Sequence, residues 1–158
     1  MLGEPYLLFE LDGQRYGLRA AAVREITWAV QTVSVPGSLP HVEGALDYRG
    51  EIVAALDVRR RFGLASRAVA LADHLIIAAA GGRTVALRVD RAVDVAEIAD
   101  VDVAPVTGTL PGAGPVTGIA RHADGLVLIH DLDTFLADAE ERELTRALAS
   151  LAAGSLTT

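Results

Sequence analysis

The sequence predicts an all-β fold: two five-stranded β-barrel subdomains around a shared core, with a C-terminal helix. Three observations predict it. The chain contains a weak internal repeat, its apolar runs are short and bounded by turn residues, and only its C-terminal stretch carries a long helical stripe.

Each half opens with a hairpin. Tyr6-Leu-Leu-Phe-Glu-Leu-Asp-Gly13 meets a glycine turn and returns through Arg15-Tyr-Gly-Leu-Arg19; His74-Leu-Ile-Ile-Ala-Ala-Ala-Gly81 returns through Arg83-Thr-Val-Ala-Leu-Arg88. A third strand follows in each, at Val23–Ile26 and at Val93–Ile98. The crossings Ala29–Val42 and Asp100–Val116 hold every proline except Pro5, so they read as loops. A second hairpin closes each half, running from Gly44 through Arg49-Gly50 to Asp57 and from Gly118 through Asp124-Gly125 to Asp131. Both spans are thirteen residues apart. Ile52–Leu56 and Leu126–Ile129 are continuously apolar rather than alternating, as expected of strands buried on both faces. A core shared between the halves would bury them so.

Helical signals are few. Asp57-Val-Arg-Arg-Arg-Phe-Gly63 fits a short helix capped by Asp57 and ended by Gly63. Over Asp131–Leu151, Leu132, Phe135, Leu136, Ala139, Leu144, Ala147, Leu148 and Leu151 form one stripe, with Asp131 or Asp133 as cap. The expected organisation is a single domain over residues 1–158. Subdomain one covers about 15–70, with segments exchanged between the halves allowed; subdomain two covers about 71–131; the helix covers 131–151.

The 158 residues are 51% hydrophobic and 22% charged, a globular balance. The net charge of −7 is the wrong sign for a phosphate-binding surface, so no nucleic-acid partner is expected. All 14 basic residues are arginine, a bias that codon usage alone could produce. No run is long and apolar enough to cross a bilayer, and no export signal opens the chain, so a cytoplasmic location without direct membrane insertion is expected.

Catalytic chemistry finds little footing. The histidines His41, His74, His122 and His130 lack metal-ligand spacing and read as surface or turn residues; no metal and no cofactor are expected. None of Ser34, Ser38 and Ser66 lies in a nucleophile elbow. Asp94/Glu97 and Asp100/Asp102 read as a solvated acidic edge in a polar connector, and Arg59-Arg60-Arg61 as a solvated helix face. The run Gly112–Gly118 leads into a strand and contains Pro115, which removes an N–H that a phosphate cradle would use. The reading is therefore a non-enzyme with no catalytic residues.

Val42-Glu-Gly-Ala-Leu-Asp-Tyr-Arg-Gly-Glu-Ile-Val-Ala-Ala-Leu-Asp-Val-Arg59, followed by Phe62-Gly63, resembles the CheW family of chemotaxis coupling (adaptor) proteins. That family reads Gly, then Arg-Gly, a hydrophobic strand, Asp-Leu-Arg and an aromatic. Tyr6–Phe9, Tyr16-Gly17 and Val23-Arg-Glu-Ile26 resemble its opening, so the resemblance covers roughly Pro5 to Leu151. Asp47 stands where the family usually has Asn, Tyr48 where it often has Leu or Ile, Ala54 for the usual Pro and Val58 for Leu.

The resemblance implies two barrels enclosing a common core and two protein partners: a chemoreceptor cytoplasmic tip in a groove between the halves, and the homologous regulatory domain of a CheA-like histidine kinase on a barrel edge. It implies placement at membrane-associated receptor arrays. Val23, Glu25, Gly44, Arg49 and Gly50 would line the receptor groove; no kinase-binding residue is assigned, and Asp57 reads as a structural cap. Gly44 and Gly50 equally suit turns that need positive φ, Val23 equally suits the core, and Glu25 a solvated strand end. Arg49, at a predicted hairpin tip, has no core role to serve and suits an interface. Two alternatives stand beside the adaptor: a small-molecule-binding β module, disfavoured by 4% aromatic content, and a regulator that sequesters the kinase domain.

Overall fold

A computed structural model describes residues 3–28, 30, 32–33, 42–65, 68, 70, 72–80, 82–106, 109–110, 114–123, 125–132 and 144–151. The first half supplies β1 (Glu4–Leu11), β2 (Gln14–Arg19), β3 (Val23–Trp28), β4 (Val42–Tyr48), β5 (Glu51–Asp57) and the short helix α1 (Val58–Arg61). The second supplies β6 (His74–Ala80), β7 (Arg83–Val89), β8 (Arg91–Ile98), β9 (Val103–Pro105), β10 (Thr109–Leu110), β11 (Gly114–Pro115), β12 (Gly118–His122) and β13 (Gly125–Ile129). A last helix, α2, is described over 144–151.

The strands form a six-stranded sheet in the order β8-β1-β2-β13-β12-β9 and a five-stranded sheet in the order β3-β6-β7-β5-β4. Each half therefore donates its first hairpin to the other half's sheet. β1–β2 sits between β8 and β13, and β6–β7 sits between β3 and β5. The two arrangements are register equivalents: β2 runs parallel to β13 as β7 runs parallel to β5. The remaining ladders are antiparallel, including the small β10–β11 pair, which forms a sheet of its own.

This exchange explains the continuously apolar strands. Leu7, Phe9 and Leu11 of β1 pack with Ile76, Ala78 and Ala80 of β6 in one large cluster between the sheets. Their neighbours Tyr6 and Leu8 face a second cluster with Ile98 and Val127; Leu75 and Ile77 face a third with Val53 and Ala86. Successive residues thus serve different cores. Full burial of each large side chain stabilises by roughly 1.5–3 kcal/mol. No backbone ladder joins the outer strands of either sheet among the described residues, so the barrels are rolled sheets closed by side chains.

Several expectations need correction. The crossing at Asp100–Val116 is not simply a loop: a 3-10 turn (Asp100–Asp102), β9, β10 and β11 lie in it, and β9 adds a sixth strand through antiparallel pairing with β12. Asp94 and Glu97 sit within β8, an edge strand, rather than in a connector. Of the predicted C-terminal helix, 144–151 is helical, Asp131 is not helical and Leu132 lies in a 3-10 turn; residues 133–143 lie outside the described residues. Of its predicted stripe, Leu144 is fully buried, Ala147 is buried and Leu148 packs on the shared core; Phe135, Leu136 and Ala139 lie outside the described residues. A hydrogen bond from the Arg83 guanidinium to the Thr145 hydroxyl ties α2 to β7.

Candidate functional site

The β4–β5 hairpin turns on Arg49 and Gly50, whose φ values of 52° and 84° are the paired left-handed conformations of a type I′ turn. Glycine is at ease there, but arginine has to be held. Asp47 holds the turn by accepting the Gly50 N–H on Oδ1 at 2.7 Å. The conformation directs Arg49 outward, and its side chain is 74% exposed.

That side chain nonetheless has partners. An Arg49 Nη2 donates to Glu25 Oε1 at 2.6 Å, the Tyr48 hydroxyl donates to the same oxygen at 3.2 Å, and the guanidinium lies 5.3 Å from the Tyr48 ring centre. Glu25 belongs to β3 and Tyr48 to β4, the two outer strands of the five-stranded sheet. One carboxylate thus draws the two sheet edges together and presents an arginine on top of the seam. An exposed pair of this kind contributes little to stability, about 0–1 kcal/mol, so its geometry matters more than its energy.

The other predicted residues divide. Val23, half-buried at the start of β3, packs against the shared core and shares a strand with Glu25. Gly50 belongs to the tip. Gly44 does not: it is buried beneath the crossing segment, where an added Cβ would stand 2.5 Å from Thr32 Oγ1 and 2.6 Å from the Val33 carbonyl oxygen. The Val33–Ala45 bridge, with hydrogen bonds of 2.9 and 2.8 Å, brings that segment so close. Ile26 and Trp28 of the outer strand β3 are 42% and 63% exposed, and Val33 of the crossing, bridged to β4, is 61% exposed.

The CheW-like domain family profile matches residues 5–140, most of the chain. The chain belongs to the CheW-like family. Curated relatives named "Chemotaxis protein CheW" include one from Klebsiella aerogenes, 24% identical over 88% of this chain and 85% of its own length. One from Bacillus subtilis is 28% identical over 64% of this chain and 65% of its own, and one from Rhizobium meliloti is 26% identical over 65% and 66%. Among solved structures, the scaffolding protein TtCheW from Thermoanaerobacter tengcongensis superposes with a TM-score of 0.77 at 26% identity, covering 84% of this chain and 92% of that one. The family is one of chemotaxis scaffolds, and the all-β fold described above is shared with that structure.

Within this CheW-like domain, two arginines that sequence reading missed hold the frame. Arg59 is not part of a solvated face: its side chain is 7% exposed and donates to Asp12 at 2.7 Å, to Asp90 at 3.0 Å and to the Ala65 carbonyl at 2.9 Å. It clamps α1 to the turns after β1 and β7. Arg88 is 5% exposed and bonds Glu43, with Asp57 and Asp73 each at 3.2 Å. Burial works against both guanidiniums, but the hydrogen bonds and charges of their carboxylates outweigh it and raise both pKa values. Asp57 also caps α1, accepting the Arg60 N–H at 3.4 Å, as expected. A charged residue inside the apolar strand Arg83–Val89 was the available signal for Arg88.

The histidine reading also changes. His130 is 2% exposed and stacked on Phe62 at 4.3 Å, with Tyr16 at 5.5 Å, so it is a core residue. His74 is half-buried, accepts the Ala92 N–H at 2.9 Å and packs against Trp28; His122 is half-buried at the end of β12. His41, with the serines Ser34, Ser38 and Ser66, lies outside the described residues. No helix among the described residues is long and apolar enough to cross a membrane.

Proposed function

We propose that this chain is a non-catalytic adaptor that couples the cytoplasmic tip of a chemoreceptor to a CheA-type histidine kinase at receptor arrays. The observation that carries the reading is the Arg49 tip. A guanidinium is held by Glu25 and Tyr48, exposed, and free of any core duty. A positioned arginine loses less rotamer freedom on binding than a mobile one, and its forked donors suit carboxylates and carbonyls of a helical hairpin. Val23 and Glu25 of β3 and Gly50 of the turn complete the receptor surface; Gly44 serves it by letting the crossing segment lie close.

The kinase side of the adaptor would use the β3 edge, where Ile26 and Trp28 offer apolar area that a homologous β domain can cover. The absence of catalysis in this reading is supported by how the buried charges are used: Arg59 and Arg88 with their carboxylates form internal pairs that cross-link the fold.

Titrating a receptor signalling-tip fragment into the wild type and the Arg49→Glu variant tests the assignment. If the contact is desolvated, charge reversal costs about 2–5 kcal/mol of binding, roughly thirtyfold or more in Kd. The melting temperature should barely move, because an exposed turn charge contributes little to folding. Undiminished receptor binding by the folded variant would withdraw the receptor assignment.

A further inference from the structure

The β8 strand ends the six-stranded sheet, with β1 on one side and, among the described residues, no strand on the other. Which of its backbone groups face outward follows from the β1–β2 turn. Asp12 and Gly13, with φ of 52° and 80°, make a two-residue type I′ turn, so Leu11 and Gln14 are a hydrogen-bonded pair. Alternation along an antiparallel ladder then turns the backbone groups of Leu7, Phe9 and Leu11 toward β2, and those of Glu4, Tyr6 and Leu8 toward β8. Their β8 partners are Ile98, Ala96 and Asp94, which leaves Val95 and Glu97 with N–H and C=O groups directed away from the sheet. One contact agrees: the Val95 N–H donates to the neighbouring Asp94 Oδ1 at 2.8 Å and not to a strand. Among the described residues the Val95 carbonyl and both backbone groups of Glu97 have no hydrogen-bond partner.

The side chains along this edge are exposed and of two kinds. Val95 and, just beyond the strand, Val101 are 55% and 75% exposed. Asp94, Glu97, Asp100 and Asp102 are exposed too, and none of them has a cationic partner among the described residues. The flanking arginines are taken, Arg91 by Glu10 at 3.2 Å and Arg19 by Glu4 at 3.1 Å. The other outer strands differ. Glu25 of β3 is paired with Arg49, Glu43 of β4 with Arg88, and Asp47 of β4 bonds the Gly50 N–H; β9 has no charged residue. Charges on an edge guard it against pairing with its own kind. Two β8 edges brought together would set carboxylate against carboxylate, so a second copy is disfavoured, while a strand of opposite charge is favoured by the same groups.

We propose that the β8 edge adds an extended, basic segment of a partner protein as a further antiparallel strand. The N–H and C=O groups of Val95 and Glu97 supply the ladder, and an apolar residue of the segment lies opposite Val95. Lysine or arginine lies opposite Asp94 and Glu97. Main-chain bonds hold such a segment, and the carboxylates choose its sign. On binding, the Asp94 carboxylate gives up the Val95 N–H to a carbonyl of the incoming strand and is released to pair with a cation. The surface uses neither Arg49 nor the β3 edge, so it stands independently of the receptor and kinase assignments.

The probe is the peptide acetyl-Ser-Lys-Thr-Val-Lys-Thr-Lys-amide, titrated into the full chain and followed by the backbone amide NMR signals. Saturation with a Kd of about 1 mM or tighter is expected. The shifts should be confined to β8 and its flanks, and exchange of the Val95 and Glu97 amides should slow. The same peptide with glutamate for lysine should not bind. N-methylation of its valine, which removes a ladder donor and keeps every charge, should weaken binding about tenfold. Glu97→Lys in the protein should do the same, with its melting curve checked in parallel. Equal binding of the N-methylated peptide, or shifts spread over all acidic surfaces, would mean electrostatic attraction without strand addition and would overturn the proposal. So would failure to saturate, which would leave the carboxylates as protection of the edge only. Shifts along β8 that grow with protein concentration in the absence of peptide would assign the edge to a second copy instead, and overturn it as well.

Discussion

The two second hairpins of the repeat share a backbone and differ in what they carry. Arg49 in the β4–β5 turn and Ala123 in the β12–β13 turn have the same φ of 52°. Tyr48 precedes one and His122 the other. Glu25 and Asp94 are also equivalent, lying opposite Ile77 of β6 and Leu8 of β1. Yet Glu25 holds Tyr48 and Arg49, while Asp94 turns its oxygen to the N–H of its neighbour Val95 at 2.8 Å. The repeat has kept the turn and the strand order; the ordered arginine belongs to one half alone. The tip residue can therefore diverge between halves with little cost to the scaffold, because it is outside both cores.

The strongest challenge to the comparison is at the buried end. Arg88→Met leaves Glu43, Asp57 and Asp73 facing one another without their guanidinium and should cost about 3–5 kcal/mol in urea unfolding. Arg19 stands at the matching end of β2, 64% exposed and paired with Glu4 at 3.1 Å, so Arg19→Met should cost less than about 1 kcal/mol. Equal losses would mean that the two sites have not diverged. At the tips, Arg49→Glu should weaken receptor binding by about 2–5 kcal/mol. Ala123→Glu, at the matching turn, should leave it unchanged in the same titration.

Smaller effects sharpen the picture. Gly44→Ala drives a Cβ to within 2.6 Å of the Val33 carbonyl and should destabilise by about 1–3 kcal/mol, because the backbone must move. Gly118→Ala meets the Val103 side chain at 2.5 Å and the nearest carbonyl only at 3.4 Å, so a strained rotamer, about 0.5–1.5 kcal/mol, should absorb it. Thermal unfolding of the pair decides the order. Tyr48→Phe loses one hydrogen bond to Glu25 and keeps the ring beneath Arg49, so it should cost about 0.5–1.5 kcal/mol of stability. The same melts measure it.

What the sequence determined by itself was whatever depends on near neighbours. Hairpins follow from apolar runs meeting glycine turns, the α1 cap from Asp57 at a strand end, and the tip from Arg49-Gly50 between two strands. The family was legible for the same reason, since its motifs are short, ordered segments. Tyr48 and Asp47 were visible only as departures from that pattern, and their use in holding Arg49 and Gly50 was not. Tertiary structure alone decided the exchange of β1–β2 and β6–β7 between sheets, the edge-to-edge closure through Glu25, and the fates of Arg59, Arg88 and His130. In each case the partner lies far along the chain, as Asp12 does from Arg59 and Glu43 from Arg88. A charge beside apolar residues reads the same whether it faces water or a buried carboxylate; only the pairing of distant strands supplies the carboxylate, and with it the reason the charge can be buried.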